Sequence, residues 1–276
     1  MIIWLASYPK SGNTWIRLFL DSLFNSSEEF NINKNIIKQF PLRSNFIGIS
    51  ENINNQNEFA KHCIAAQQKI NLDNEIKIFK THNAFWNWNN GQFRFTNENE
   101  TLGVIHVVRD PRAVVTSILN YFHKENYKDA IDFIKIDRVL GGDEDEHGLP
   151  TIIGSWSNHY KSWRKFKKNN ILIKYEDLLK NPEKEFFKIT NYLSSTANFQ
   201  FQKNDIIKSI NDCNFDNLSK QEDKYGFNSN SDTNKRLKKK FFNLGPKNKW
   251  QDILNTKFQK EIENIFQDEM KEIGYL

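Results

Sequence analysis

The chain has 276 residues, 38% of them apolar and 26% charged, enough to bury a core and keep a solvated surface. No apolar run approaches the ~18 residues of a membrane-spanning helix, and the opening run Ile2-Ile3-Trp4-Leu5-Ala6 is too short, with no basic stretch before it, for a signal peptide. The formal net charge of +5 and a pI near 8.9 suit a small polyanionic ligand; the basic residues are scattered among many acids, so nucleic acid is the weaker reading.

Taken in chain order, Ile2 to Ser7 is an apolar run ending in turn chemistry, which predicts a buried strand. Thr14 to Phe24 carries Trp15, Leu18, Phe19 and Leu23 on one helical face. Asn-rich stretches at 25–35, 52–57 and 87–99 read as a general compositional bias. Lys77 to Phe79 is a short strand candidate, and Gly103 to Val108 is a second buried one. Asp110-Pro111 then starts a helix, with Asp110 as N-cap and Pro111 in the first position. Trp156, His159, Tyr160, Trp163 and Phe166 share a helical face, Ile171 to Lys174 reads as a strand, and a helix runs from about Pro182 to Leu193. Phe258, Ile262, Ile265, Phe266 and Met270 mark one C-terminal helix. With no signal or spanning segment the chain is expected to be cytoplasmic, and Cys63 and Cys213, far apart and without metal-ligand spacing, are expected as thiols in that reducing setting. Strands alternating with helices predict a single α/β domain over 1–276, a central parallel sheet flanked by helices, with its ligand beyond the carboxyl ends of the strands.

The unusual residues fall at those ends. Between the first strand and first helix lies Ser7-Tyr8-Pro9-Lys10-Ser11-Gly12-Asn13-Thr14-Trp15. Gly12 permits a tight bend, so amides from about Ser11 to Trp15 converge at a helix N-terminus, with Ser11 and Thr14 adding hydroxyls and Lys10 a full charge. The nucleoside-triphosphatase loop has a different order, and no evident Mg²⁺ ligand set accompanies this one. An ordinary strand-to-helix turn is the alternative. A second anion candidate is Arg109, at a strand end where its planar fork can face a phosphate, with Ser117 two turns into the following helix. A surface salt bridge and a solvent hydroxyl are the alternatives there. The third cluster is Phe79-Lys80-Thr81-His82-Asn83, where His82 has the pKa of a general base or is a hydrogen-bonded structural histidine.

The Tyr-Pro-Lys-Ser-Gly-Asn-Thr-Trp run resembles the 5′-phosphosulfate loop of sulfotransferases that use 3′-phosphoadenosine 5′-phosphosulfate (PAPS), with Asn13 where cytosolic animal enzymes usually carry Thr. Arg109 with Ser117 resembles that family's 3′-phosphate site, and Lys80-Thr81-His82 its catalytic segment. The resemblance implies a sheet similar to the P-loop kinase fold, PAPS as co-substrate, no metal, and a small-molecule acceptor. It implies that Lys10 contacts the phosphosulfate, that Ser11, Gly12, Asn13 and Thr14 hold the 5′-phosphate, and that Trp15 stacks near the adenine or packs in the core. His82 would take the acceptor proton, while Lys10 and Lys80 stabilise the transition state. Tyr175, in Ile173-Lys174-Tyr175-Glu176-Asp177-Leu178, would meet the adenine, as would Phe215, with Cys213 departing from the family's Thr.

The largest departure is Phe242-Asn243-Leu244-Gly245, where the family commonly has Phe-Arg-Lys-Gly. Gly245 and Trp250 keep their places, and Lys247, Lys249 or the basic run before Phe241 would have to replace the missing charges. A nucleotide kinase on a similar fold and a catalytically inactive nucleotide-binding scaffold are the rival readings. Phe85, Trp86, Trp88, Phe93 and Phe95 either line an acceptor cleft or pack beneath a loop. The acceptor's identity and the oligomeric state have no readable signature.

Overall fold

The computed structural model describes residues 1–121, 126–142, 148–227, 240–242 and 245–276. The chain opens with β1 (Ile2–Ser7) and α1 (Asn13–Leu23), then β2 (Lys38–Gln39), α2 (Gln56–Ile70) and β3 (Lys77–Thr81). A small hairpin of β4 (Asn87–Trp88) and β5 (Phe93–Arg94) precedes β6 (Thr101–Val108), α3 (Pro111–Tyr121) and α4 (Tyr127–Lys135). A second hairpin, β7 (Val139–Leu140) with β8 (Thr151–Ile152), leads into α5 (Trp156–Arg164) and β9 (Asn170–Lys174). Helices α6 (Tyr175–Lys180), α7 (Pro182–Ala197), α8 (Lys203–Asp212) and α9 (Phe215–Tyr225) follow. The last part holds α10 (Trp250–Ile253), α11 (Thr256–Ile265) and α12 (Gln267–Ile273).

Five strands form one sheet in the order β2-β3-β1-β6-β9, and every pairing in it is parallel. Such a sheet is covered on both faces, and β1 shows why the sequence permits it: all six of its residues are buried. Period-two alternation sends Ile3 and Leu5 to one face, against Ile16, Leu20, Phe186 and Ile189 from α1 and α7. Ile2, Trp4 and Ala6 point the other way, into Phe40, Phe59, Cys63, Phe95 and Trp163. A third cluster packs α3, α4 and α5 against α11 and α12 through Val114, Ile131, Trp156, Ile262 and Met270. Trp86 and Phe95 are buried beside Trp4 and Trp163, so among the hairpin aromatics these two pack in the core.

Three expectations are amended. The strand begun at Lys77 runs on to Thr81, so Lys80 lies inside it and His82 is the first residue beyond. The expected C-terminal helix is two helices broken at Phe266 (φ −115°, ψ 23°); the turn sets the Phe266 ring edge-on to Trp156, 5.1 Å away. The asparagines are more than a compositional bias, because Asn55, Asn126, Asn181, Asn214 and Asn255 each cap a helix by accepting a backbone N–H through the side chain.

Candidate active site

The loop after β1 is bent by two left-handed residues, Lys10 (φ 67°) and Gly12 (φ 96°). A lysine in that region is uncommon and costs strain, and here it sits where the chain turns into α1. Ser11 N–H closes the turn onto the Tyr8 carbonyl at 3.3 Å, and Trp15 N–H bonds the Gly12 carbonyl at 3.0 Å. Gly12 is the N-cap of α1 and supplies no side-chain acceptor, so the amides of the first turn face outward from the helix. Gly12 is also required by a close approach: a Cβ there would lie 2.3 Å from Cδ2 of Tyr175.

Arg109, from the end of β6, leans across this loop. Its Nη1 donates to the Lys10 carbonyl at 3.0 Å, and its guanidinium lies 4.4 Å from the centre of the Tyr175 ring. Arg109 is buried, and among the described residues neither its Nε nor the buried hydroxyl of Ser11 has a hydrogen-bond partner. Buried donors left without acceptors are costly, and an anionic oxygen at each would satisfy it. Ser117 is half-buried on α3. Behind Arg109, Asp110 caps α3 by accepting from Arg112 N–H at 2.9 Å. Its own N–H donates to Glu176, whose second oxygen accepts from the Tyr275 hydroxyl at 2.7 Å.

Charge at the site is strongly cationic. Burial, then Arg109 and Lys80, lowers the Lys10 ammonium to a pKa of about 7. Burial, then Arg17, lowers Lys80 to about 8. Arg17 is held by Asp21 at 2.7 Å and by Asn35 at 2.6 Å. Lysines that crowd one another this way favour an anion between them.

His82 meets this charge from just beyond the end of β3. Its Nδ1 lies 2.8 Å from the carbonyl oxygen of Ser7 on the adjacent strand. A carbonyl only accepts, so Nδ1 carries the proton and Nε2 keeps its lone pair. Burial, then Lys80, drives His82 well below 6.5, against the pull of the Ser7 carbonyl, and the ring is neutral at pH 7.

The aromatic residues assemble beside the loop. Trp15 Nε1 donates to the Cys213 carbonyl at 2.8 Å, and its ring stands edge-on to Tyr175 and Phe186. Trp15 thus packs against the core at the edge of the loop. Phe215 opens α9 with its ring against Gly245, where a Cβ would come within 2.1 Å of it. A cavity of about 490 Å³ lies there, lined by Asn214, Phe215, Lys220, Pro246 and Lys247 among others. Phe241 reaches back to the loop, its ring 4.9 Å from Lys10 Nζ. Asn243 and Leu244 lie outside the described residues, and Lys247 and Lys249 are exposed.

Geometry thus brings Lys10, Ser11, Gly12, Arg109 and Tyr175 together, with Lys80 and His82 within electrostatic reach of Lys10. Asn13 is a partial exception, because its side chain turns inward to Leu5 and Ser7 and leaves its backbone amide for the loop. Ser7, Glu176 and Tyr275 had no assigned role in the sequence reading. Ser7 was detectable as a hydroxyl at the end of the central strand; Tyr275 carried no local signal. Among the described residues no helix is long and apolar enough to cross a membrane.

A family model described as the sulfotransferase domain matches residues 2–274. Sulfotransferase 1B1 of Canis lupus familiaris is 24% identical over 70% of this chain and 59% of its own length. Sulfotransferase 1 family member D1 of Mus musculus is 24% identical over 69% of this chain and 58% of its own length. The matched region thus spans under two thirds of these relatives. Among solved structures, mouse sulfotransferase SULT7A1 complexed with PAP superposes with a TM-score of 0.60 at 18% identity, covering 97% of this chain and 83% of that one. Retinol dehydratase in complex with androsterone and the inactive cofactor PAP gives 0.59 at 17%, covering 98% and 80%. At this identity the likeness is one of fold.

Proposed function

Because the chain belongs to the sulfotransferase domain family, we propose that it moves a sulfuryl group from PAPS to a hydroxyl or amine of a small-molecule acceptor, releasing adenosine 3′,5′-bisphosphate. The observation that carries this reading is the pair of buried donors, Ser11 Oγ and Arg109 Nε, that have no acceptor among the described residues and are set among the mutually repelling charges of Lys10, Lys80 and Arg109. Such a site calls for a polyanion. The relatives bear the name sulfotransferase, and the fold neighbours were crystallised with PAP.

In this reading the 5′ side of the nucleotide lies on the amides of Gly12, Asn13 and Thr14 with the Ser11 hydroxyl, and the 3′-phosphate faces Arg109 and Ser117. Trp15, Tyr175, Cys213 and Phe215 border the base, and Gly245 brings the C-terminal loop against Phe215. His82 Nε2 accepts the acceptor's proton as the acceptor oxygen or nitrogen bonds to sulfur. The bond from sulfur to the phosphate oxygen breaks, and that oxygen keeps the electron pair. Lys10, with Lys80, stabilises the charge growing there. The whole chain would work as a single domain, and the buried free thiols Cys63 and Cys213 suit a cytoplasmic setting.

Calorimetric titration with adenosine 3′,5′-bisphosphate, AMP and ATP, each with and without Mg²⁺, tests the donor site. Selective, metal-independent binding of the bisphosphate is expected, and a preference for ATP with Mg²⁺ would overturn the reading in favour of a kinase. Transfer from PAPS to a panel of phenols, alcohols and amines follows. His82→Ala should abolish transfer while bisphosphate binding persists.

A further inference from the structure

Asn13 opens α1 but serves β1. Its side chain is 3% exposed, and Nδ2 donates both of its hydrogens backward, to the Leu5 carbonyl at 3.1 Å and to Ser7 Oγ at 3.0 Å. The orientation of the amide is fixed by chemistry: the Leu5 carbonyl only accepts, so the nitrogen must face it. Oδ1 is left buried with no donor among the described residues, the cost of turning the amide this way.

Ser7 is also the residue that holds His82. The Nδ1 of His82 is 2.8 Å from the Ser7 carbonyl and 3.3 Å from the Ser7 hydroxyl, so one proton faces two oxygens of the same residue. Asn13 occupies Ser7 Oγ as an acceptor and so leaves its remaining electron density toward the histidine. It also grips the strand two residues earlier, at Leu5. Strand β1 thereby arrives at His82 with the Ser7 carbonyl and hydroxyl both preset.

We propose that Asn13 is a positioning residue for His82: through Ser7 it holds the ring in the tautomer that carries its proton on Nδ1, keeping Nε2 as the basic nitrogen. The backbone amide of Asn13 remains part of the anion loop, so one residue ties the nucleotide loop to the base. A side chain with a single hydrogen to donate serves one of the two acceptors. The assignment of His82 as base rests on the proposed transfer reaction, whereas the tautomer does not.

Two readouts test this. Nitrogen-15 spectra of His82, assigned with His82→Gln, report which ring nitrogen carries the proton. The unaltered chain should show a protonated Nδ1, and Asn13→Ala a mixture of tautomers. In transfer assays Asn13→Ala should lower kcat about tenfold or more, with the KM for PAPS and the bisphosphate affinity within about twofold. Asn13→Ser, which keeps one donor, should fall between and serves as the test variant if alanine prevents folding. In a Ser7→Ala background, which retains the carbonyl and lacks the hydroxyl, most of the Asn13→Ala effect should vanish. An unchanged tautomer in both variants would overturn the proposal, as would a loss confined to bisphosphate affinity. If the unaltered chain transfers no sulfuryl group, the functional reading fails, and the nitrogen spectra still decide the role of Asn13.

Discussion

The Arg109 guanidinium donates to the Lys10 carbonyl at 3.0 Å and so ties the end of β6 to the loop after β1. The same group stacks on Tyr175, which comes from the end of β9. One side chain therefore sets the spacing of three adjacent strand ends. Lysine keeps the charge but lacks the planar fork, and cannot stack and donate together. Arg109→Lys should weaken bisphosphate binding by about 2 kcal/mol, roughly thirtyfold, in a calorimetric titration. Affinity within about twofold of the original would show that charge alone suffices.

Gly12 and Gly91 offer a paired experiment. Both have positive φ, 96° and 87°, but a Cβ on Gly12 meets the Tyr175 ring at 2.3 Å, whereas one on Gly91 meets nothing within 4 Å among the described residues. Alanine at either position should cost about 1–2 kcal/mol of backbone strain in thermal or urea unfolding. Only Gly12→Ala should also displace Tyr175 and abolish bisphosphate binding. Equal binding by the two variants would refute the importance of the Gly12–Tyr175 contact.

Proton uptake should accompany nucleotide binding. With free-state pKa values of about 7 for Lys10 and about 8 for Lys80, both lysines are partly neutral near pH 8. An arriving phosphate favours their charged forms and raises both values. Titrations near pH 8 in buffers of different ionisation enthalpy should reveal protons bound per nucleotide, and affinity should fall as pH rises from about 7 to about 9. In the free protein the sign reverses: unfolded lysines hold protons more tightly, so stability rises between about pH 7 and the ordinary lysine pKa. Buffer-independent enthalpies would contradict this.

Acid should destabilise the fold through buried histidines. Burial holds His159 at a pKa of about 3 and His106 well below 6.5, and neither ring nitrogen of His106 has a partner among the described residues. Their folded values lie below the unfolded one, so the stability they permit is complete above about pH 6.5 and declines on acidification. Each contributes up to about 1.4 kcal/mol per pH unit of that decline. His106 stacks on Tyr160 at 5.9 Å with 27° between the rings, a place that a phenyl ring fits. His106→Phe should flatten the fall in urea midpoint between about pH 7 and pH 5; an unchanged slope would exclude His106 as a source.

Much of this site was legible because its residues obey local rules. A strand buried on both faces reads as one apolar run, and Asp110-Pro111 announces a helix by capping chemistry alone. Lys10, Gly12 and Arg109 stand at strand ends, where parallel sheets gather ligands. What escaped is non-local or too short. Strand β2 has two residues, below any periodicity. The role of Ser7 depends on the neighbouring strand that delivers His82, and that of Tyr275 on a chain end returning to Glu176. The helices α2, α4 and α9 did have a signal in their Asn caps, hidden because asparagine is common throughout the chain.

Strand β1 lies in the middle of the sheet and precedes both of its neighbours in the chain. Ile3 pairs with Ile78 on one side and with Gly103 on the other. During synthesis this apolar strand leaves the ribosome long before either partner exists, with both edges open and both faces unpacked. Folding therefore waits on translation past Val108, and the interval is when the nascent chain is most exposed to pairing with other strands. Slower elongation before that point should lower the soluble yield, and chaperone capture of chains arrested there should be strong.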